Sequence, residues 1–332
     1  MATIYEVSAL AGVSLSSVSR VLNDHEHVSK KTKQKVVAAM NELDYRPNTI
    51  ARSLASSRSN SIGVLVSELH GPFFGAMLST IELELRNAGK HAVITAGHSD
   101  EESEKKGLEF LIDRNCDALI LHVDAISDEY LIKLSKGKTP FVILNRYISE
   151  IKDNCFYLNN ELGGYLAAKY LIEQGHKDIA YISGPITKQD TTERLTGHKK
   201  ALAEADIPFK ESLVYEGDYL TESGRDGFNF LIENKTAFTA VACSNDEMAS
   251  GAMRGARDHK ILIPDQCSFI GFDNAFFTEY LYPQLTTINF PVNDMAKMST
   301  HWILQHVYKQ KESEITNMFT PKLIERKSVK QN

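Results

Sequence analysis

The sequence predicts an N-terminal all-α helix-turn-helix headpiece with a hinge helix, followed by an α/β core of two doubly wound parallel-sheet subdomains. Short helical patterns with capping residues fill positions 1–46 of the 332 residues. The segment 47–60 ends in a polar stretch. From 61 to 332, short apolar runs alternate with amphipathic stretches. Apolar strands separated by helices are typical of parallel sheets that are covered on both faces.

Composition indicates a globular protein without a membrane span. Hydrophobic residues make up 42% of the chain and charged residues 24%, and no apolar run approaches the roughly 18 residues that cross a bilayer. The stretch Met1–Glu6 has neither a basic nor an apolar segment of a signal peptide, so we expect a cytoplasmic protein. The four cysteines form no Cys-x-x-Cys pair, and we expect no metal and no cofactor.

Charge is distributed unevenly along the chain. The net charge is −6, but residues 1–60 contain eight Lys/Arg and five Asp/Glu, whereas the remainder contains 29 and 38. A basic head on an acidic body is typical of a protein in which only one end contacts phosphates.

Two short helices joined by a tight turn are predicted at the start. Thr3 and Glu6 form a capping-box pattern for a helix over 4–11. Gly12 ends that helix, and Ser14 caps a second one over 15–22. The predicted inward residues are Ile4, Val7, Leu10, Val18, Val21 and Leu22. This spacing is that of a helix-turn-helix.

A third helix is predicted over 30–43, capped by Ser29 and packed through Val36, Val37, Met40 and Leu43. The second helix exposes Leu15, Ser16, Ser17, Ser19 and Arg20. The N-terminal part of such a helix faces base edges in the major groove, where Arg20 could pair with guanine. The alternative is that these side chains are only a solvated face.

The headpiece resembles that of the LacI/GalR family of bacterial repressors. The resemblance rests on Ala11-Gly12-Val13-Ser14, Ser17-Val18-Ser19-Arg20-Val21-Leu22-Asn23, Val28-Ser29 and Leu43-Asp44-Tyr45-Arg46-Pro47-Asn48. It implies a sequence-specific repressor that binds a pseudo-palindromic operator as a homodimer. The predicted DNA-binding residues are Thr3, Ser14, Leu15, Ser16, Ser17, Ser19, Arg20, Asn23, His27, Ser29, Thr32, Asn48, Ala51, Arg52, Leu54 and Ala55.

A hinge helix is predicted over 49–55, after Pro47 ends the third helix. Two helical turns are not stable alone in water. The resemblance implies that this segment folds in pairs on DNA and wedges Leu54 into the minor groove, where apolar side chains kink the duplex. Ordinary packing of Leu54 is the alternative. Arg52 and Arg58 suit phosphate contacts.

Seven strands are predicted in the core, at 62–66, 92–96, 118–122, 141–144, 179–182, 240–243 and 268–271. A helix is predicted over 76–88. The family resemblance extends to the whole chain and implies a periplasmic-binding-protein-like core. It places about 61–160 and 293–320 in the N-subdomain and about 161–290 in the C-subdomain.

Polar and aromatic residues follow the predicted strands, at the edge where ligands bind open parallel sheets. They suit a neutral polyhydroxylated ligand, because rings stack on sugars and amides match hydroxyls. With the positions that the resemblance adds, the predicted effector-binding residues are Phe73, Phe74, Asn145, Asn159, Asp190, Arg194, Tyr219, Asn245, Asp273 and Phe290. Asn145 and Asn159 depart from the aspartate of many family members, which removes a charged anchor.

Asn145-Arg146 and Phe73-Phe74-Gly75 resemble the galactose-repressor branch, so a hexose or hexoside effector is expected, with galactose first. The sign of the response stays open between induction and corepression. A sugar-processing enzyme or binding protein on the same fold is the alternative, but Gly-x-Gly-x-x-Gly after a strand, a Walker loop and Gly-x-Ser-x-Gly are all absent.

The helix near Met77, Ile81 and Leu85 either contributes to the dimer contact or packs on its own sheet. The sequence contains no leucine heptads, so it does not predict a coiled-coil tetramer.

Overall fold

The computed structural model describes residues 2–22, 27–46, 58–310 and 314–330. Residue contacts divide the chain into two units, Met1–Asn60 and Ser61–Asn332, and each is described by itself. The predicted hinge helix lies outside the described residues, as do the predicted DNA contacts Asn23, Asn48, Ala51, Arg52, Leu54 and Ala55.

Three helices form the described part of the first unit: α1 (Ile4–Ala11), α2 (Leu15–Leu22) and α3 (Lys30–Glu42). The predicted capping box is confirmed, since the Glu6 carboxylate accepts from the Thr3 amide at 2.7 Å and the Thr3 hydroxyl accepts from the Glu6 amide at 3.3 Å. Gly12 ends α1 with a left-handed φ of 62°. Ser14 and Ser29 cap the next two helices, as predicted.

The core of the headpiece is narrower than its sequence predicts. Its buried residues are Val7, Ala11, Val18, Val21, Val36 and Ala39. The predictions for Leu10 and Val37 are wrong, because these side chains are 46% and 42% exposed. The small side chains of Ala11 and Ala39 lie where the helices contact each other, so the bulkier Leu10 and Val37 lie at the edge of that contact.

Two six-stranded sheets form the second unit within the described residues. The first has the order β11-β5-β4-β3-β1-β2 and the second β12-β10-β9-β8-β6-β7. Only the β10–β12 pairing is antiparallel among those described. The strands are β1 (Ser61–Val66), β2 (His91–Ala96), β3 (Ala118–Leu121), β4 (Phe141–Leu144), β5 (Cys155–Leu158), β6 (Ile179–Ser183), β7 (Val214–Glu216), β8 (Ala240–Cys243), β9 (Ser268–Asp273), β10 (Thr286–Asn289), β11 (Met318–Phe319) and β12 (Lys322–Ile324).

Helices cover both sheets. They are α4 (Pro72–Asn87), α5 (Glu101–Asp113), α6 (Asp128–Ser135), α7 (Asn160–Glu173), α8 (Gln189–Glu204), α9 (Thr221–Glu233), α10 (Asp246–Asp258) and α11 (Val292–His306). The helix predicted over 76–88 starts one turn earlier, with Pro72 in its first turn, where a missing N–H costs nothing.

All seven predicted strands are confirmed, and β5, β7, β10, β11 and β12 were missed. Most of the missed strands are short or lie near sheet edges. β2 is an edge strand and only half-buried, so the expectation that every strand is covered on both faces is wrong for it. Asp273 is the last residue of β9 rather than part of the loop that follows.

The C-terminal stretch contributes to both subdomains. α11 packs against α4, and β11 joins the first sheet beside β5. β12 then joins the second sheet, where the Ser328 hydroxyl donates to the Phe269 carbonyl at 2.6 Å. On α4, Met77, Ile81 and Leu85 are at most 1% exposed in the chain's own core. The alternative that this stripe packs on its own sheet is therefore confirmed, and a contribution of the helix to a dimer contact stays a prediction.

The helix pair α7 and α8 crosses through glycines. A Cβ at Gly164 would overlap the carbonyl oxygen of Arg194, and a Cβ at Gly197 would overlap that of Glu161. The close approach fixes where the backbone of Arg194 lies relative to α7.

We expect Gly197→Ala to lower the free energy of unfolding by about 1–3 kcal/mol, because an added methyl group forces the two backbones apart. Urea unfolding followed by far-UV circular dichroism measures this. Gly75→Ala in α4 is the matched control: its Cβ meets nothing within 4 Å, so helix propensity should stabilise it by up to about 1 kcal/mol. Equal stability of the two variants would contradict the packing argument.

Candidate functional site

A cavity of about 290 Å³ lies between the two subdomains of the second unit. Its walls come from segments that follow the carboxyl ends of strands in both sheets, as expected for open parallel sheets. The lining residues are Glu68, His70, Phe73, Phe74, Ser99, His122, Asp124, Asn145, Pro185, Lys188, Asp190, Arg194, Asp218, Tyr219, Leu220, Asn245, Glu247 and Asp273.

Eight of the ten predicted effector residues line this cavity, and Asn159 and Phe290 do not. The Asn159 side chain caps α7 by accepting from the Leu162 amide at 2.9 Å. Phe290 is 2% exposed and packs its ring behind Phe73, with the ring centroids 5.0 Å apart. Phe290 therefore packs behind the cavity wall that Phe73 and Phe74 form and is not itself part of that wall.

Arg194 is the central cation of the site and is only 3% exposed. Its Nε donates to the Asn160 side chain at 2.9 Å, and its Nη1 donates to the Ser244 carbonyl. The guanidinium lies 3.8 Å from the centroid of the Phe272 ring. Its partners therefore come from α7, from the end of β8 and from β9, and together they hold the guanidinium in one orientation.

Asp190 links Arg194 to the opposite wall. Its carboxylate lies 3.6 Å from Nη2 of Arg194. The same carboxylate accepts from the Asn145 amide at 3.2 Å and from the Tyr219 hydroxyl at 3.2 Å. Since Asn145 follows β4 of the first sheet, the Asn145–Asp190 hydrogen bond crosses between the subdomains.

A second polar contact that crosses between the subdomains is an ion pair. The ammonium of Lys188 lies 2.8 Å from Asp124 and donates to the Ser99 hydroxyl at 3.0 Å. The two charged side chains are 18% and 19% exposed. Burial works against ionisation of Asp124, yet the Lys188 ammonium and the hydrogen bonds from Lys188 and Ser67 hold its pKa below the usual range.

His122 also lines the cavity and is not among the predicted effector residues. The Ser67 hydroxyl donates to Asp124 at 2.7 Å and lies 3.1 Å from Nδ1 of His122. With its hydrogen directed to Asp124, Ser67 accepts from Nδ1, which leaves Nε2 as an acceptor. Burial lowers the pKa of His122 and so favours the neutral ring.

Two carboxylates of the cavity accept no hydrogen bond from the described residues: Asp273 and Glu247. Burial raises the pKa of Asp273 well above its usual value, against the opposing charge of Arg194. Burial also raises the pKa of Glu247. Both groups are available to a ligand hydroxyl.

Residues with a left-handed backbone conformation occur in the cavity wall. Asn145, Tyr219 and Asp273 have φ values of 57°, 74° and 114°. Residues other than glycine rarely adopt positive φ values, and the ones that do cluster at functional sites. The strain at Asp273 is the largest of the three and accompanies a carboxylate that accepts no hydrogen bond.

Several lining residues were missed by the sequence prediction, among them Glu68, Asp124, Lys188 and Glu247. Glu68 and Asp124 follow β1 and β3 within three residues, so the strand-end rule could have found them. Lys188 and Glu247 lie in or beside helix starts and carry no such local signal.

The headpiece presents a hydroxyl-rich surface at the start of α2. Ser14 lies 2.8 Å from Ser16 and 2.9 Å from Ser17, oxygen to oxygen. Ser19 and Arg20 are exposed on the same helix. The other predicted DNA contacts that the structure describes are Thr3, Leu15, His27 and Ser29, which are exposed, and Thr32, which is half-buried.

Other kinds of site are not found in the part of the chain that the structure describes. No group of three or more His, Cys, Asp or Glu side chains is arranged to hold a metal ion. No helix there is long and apolar enough to cross a bilayer. The four cysteines are buried and unpaired thiols.

A helix-turn-helix head joined to a two-subdomain α/β core defines a class of DNA-binding transcription regulators. A model of bacterial regulatory proteins of the lacI family matches residues 3–48, and a periplasmic binding protein-like model matches residues 168–329. The chain is 38% identical over 329 residues to the HTH-type transcriptional regulator GalR of Salmonella typhimurium, covering 99% of this chain and 96% of the relative. The chain belongs to the LacI/GalR family.

Solved structures agree with this assignment. The Lac repressor dimer bound to operator and the anti-inducer ONPF has a TM-score of 0.87 at 29% identity, with 98% of each chain covered. A complex of the transcriptional regulator CelR with cellobiose has a TM-score of 0.71 at 27% identity, covering 99% of this chain and 100% of that one. The chain is a DNA-binding transcriptional repressor of the LacI/GalR type and not an enzyme, so the enzyme alternative is wrong.

Proposed function

We propose that an uncharged sugar bound in the cavity between the subdomains controls the affinity of this repressor for its operator. A hexose or hexoside is the proposed effector, with galactose first. The observation that carries the proposal is the composition of the cavity: aromatic rings stand beside hydroxyl and amide groups, and both of its buried cations already have carboxylate partners.

Charge supports a neutral ligand. Lys188 is paired with Asp124, and Arg194 lies near Asp190. The cavity has six carboxylate residues: Glu68, Asp124, Asp190, Asp218, Glu247 and Asp273. An anionic ligand, such as a sugar phosphate, would meet this excess of negative charge without a cation to pair with. Hydroxyl groups of a neutral sugar can donate to the same carboxylates.

The aromatic wall supports a sugar ring. Phe73 and Phe74 lie edge to face with centroids 5.4 Å apart, and His122 packs against both. Their exposed faces suit the apolar side of a pyranose. The cellobiose complex of CelR shows that a regulator with a similar fold binds a sugar. The resemblance of Asn145-Arg146 to the galactose-repressor branch favours galactose among hexoses.

For DNA, we propose that two copies of the chain bind one pseudo-palindromic operator, as in the Lac repressor dimer. The exposed start of α2, with Ser16 and Arg20, would enter the major groove of each half-site. The hinge segment with Leu54 would fold between the two headpieces and the minor groove. This activity places the protein on nucleoid DNA in the bacterial cytoplasm.

Coupling follows from the position of the cavity. A sugar that contacts both subdomains favours one of their relative orientations, and the paired hinge segments transmit that orientation to the headpieces. Coupling free energies of this kind are typically about 1–3 kcal/mol. The preferred orientation sets the sign: a sugar that releases operator is an inducer, and one that tightens binding is a corepressor.

Arg20→Ala should weaken operator binding by about 1–3 kcal/mol if Arg20 pairs with a guanine. Because one base contact is lost, the loss should be far smaller on unrelated DNA. Gel shifts on operator and non-specific duplexes at two salt concentrations measure both affinities. Arg114→Ala, in the core unit, is the control. An equal loss of affinity on both duplexes would assign Arg20 to phosphate contacts instead.

Asp273→Gly should lower sugar affinity roughly twofold to tenfold, since a hydrogen bond to a buried carboxyl group that is not ionised contributes about 0.5–1.5 kcal/mol. Glycine accepts the φ of 114° without strain, and no hydrogen bond within the protein is lost. Isothermal titration with galactose and related sugars measures the affinity. Operator affinity without sugar should not change.

Asp206→Gly provides the matched control, because Asp206 is exposed outside the cavity and also has a positive φ, of 56°. Unchanged sugar affinity in Asp273→Gly would show that the ligand does not use this carboxylate. Failure of every sugar to bind the wild-type protein would contradict the proposed effector class itself.

A further inference from the structure

A second cavity lies directly beside the proposed effector site. Its volume is about 300 Å³, close to that of the first. Its walls are mainly polar and include Arg146, Thr187, Gln189 and Thr192. Small-molecule sites usually span about 300–1,000 Å³. The first cavity alone is therefore at the small end of that range, whereas the two cavities together would hold a longer ligand.

Four residues line both cavities: Asp124, Asn145, Lys188 and Asp190. They form the wall between the two spaces, which we call the partition. Each subdomain supplies two of them, and they are paired across the cleft. Lys188 contacts Asp124 at 2.8 Å, and Asn145 donates to Asp190 at 3.2 Å.

Surrounding groups hold the partition in place. The carboxylate of Asp124 also accepts from the hydroxyls of Ser67 and Ser99, at 2.7 Å and 2.9 Å. Lys188 donates to Ser99 as well, at 3.0 Å. Moving Lys188 aside would leave a carboxylate that is 19% exposed without its cation, which is costly. The partition therefore resists a ligand that would extend past it.

We propose that the Lys188–Asp124 ion pair limits the effector to a single sugar ring by separating the effector site from an adjoining polar cavity. This inference rests on the proposed function, since it assigns the length of the sugar that the same site accepts. Without the pair, the adjoining cavity admits a second hydroxylated ring. Arg146, Gln189 and Thr192 would then lie along that ring.

The adjoining cavity suits a neutral glycosyl unit better than an aglycone of apolar character. Arg146 is held by the Ile126 carbonyl at 2.8 Å and by Asp128 at 2.6 Å, so its charge is already compensated. The hydroxyl and amide side chains around it can both donate and accept, as sugar hydroxyls require.

The test is calorimetric titration of the full-length protein with galactose and glucose and with the disaccharides lactose, melibiose and cellobiose. The wild-type protein should bind a monosaccharide at least about tenfold more tightly than any disaccharide, because a second ring must break the ion pair. Lys188→Ala should reduce that preference at least about tenfold by opening the adjoining cavity, where the second ring gains new hydrogen bonds.

Two further variants complete the test. Lys188→Ala combined with Asp124→Ala removes both charges, so it opens the same passage without leaving a buried carboxylate unpaired. It should show the same relaxed preference even if the single variant unfolds. Lys210→Ala is the matched control, because it breaks an exposed ion pair, Lys210–Asp178, on the same subdomain. It should retain the wild-type preference.

Tight disaccharide binding by the wild-type protein would overturn the inference. So would a monosaccharide preference that stays unchanged in both opened variants. In those two cases the proposed function survives, because a sugar still binds. If no sugar binds any of the proteins while operator binding is intact, the proposed effector class fails and the inference fails with it.

Discussion

The buried guanidinium of Arg194 is the constraint on which the ligand site depends. A charge that is 3% exposed must be fully paired and hydrogen-bonded, or the fold loses several kcal/mol. Arg194 meets this requirement by using Asn160 on α7, the Ser244 carbonyl after β8 and the Phe272 ring of β9. The same contacts connect the ends of neighbouring strands, so the protein's own interactions hold this cavity wall together.

The glycine crossing of α7 and α8 makes this arrangement possible. Gly164 lies against the backbone of Arg194, and Gly197 lies against α7 in return. The helices approach closely enough for a side chain of α8 to reach Asn160 at the start of α7. The position of the Arg194 guanidinium therefore depends on the packing of these two helices. A methyl group in the crossing would displace the cation from the cavity.

Polar contacts join the two subdomains at the cavity. At the cavity they include the Lys188–Asp124 ion pair and the Asn145–Asp190 hydrogen bond. A net contribution of about 0.5–1.5 kcal/mol is typical of a hydrogen bond such as Asn145–Asp190, which is comparable to an allosteric coupling free energy. The Lys188–Asp124 ion pair costs more to break, because it would leave a half-buried charge unpaired. A ligand of modest affinity could therefore change the relative orientation of the subdomains, while the wall around Arg194 stays intact.

Local signals made much of the fold predictable. The capping residues Thr3, Ser14 and Ser29 and the breaker Gly12 act within one helical turn, so their effects can be inferred from the sequence. The apolar runs of β1, β3 and β4 likewise made these strands of the first sheet predictable. Leu10 and Val37 were misplaced because helix periodicity does not show which part of an apolar face meets a small partner.

The site was predictable where chemistry follows a strand end, as for Asn145 and Asn245, or where the family resemblance gave a position, as for Arg194. Pairings between distant residues were not. Lys188 and Asp124 are 64 positions apart, and nothing in either segment specifies the other. Asn159 is the opposite case: it occupies a position that the sequence predicts for the effector, but its side chain caps its own helix and does not line the cavity.

We propose that one conformational equilibrium links the cavity around Arg194 to the DNA-binding headpieces. The most direct measurement is a thermodynamic cycle with the sugar that binds most tightly. Operator affinity is measured with and without saturating sugar, and sugar affinity with and without saturating operator. Linkage requires the two ratios to be equal, and a coupling of about 1–3 kcal/mol predicts a factor of roughly 5–150. A factor of one in a protein that binds both ligands would contradict the account.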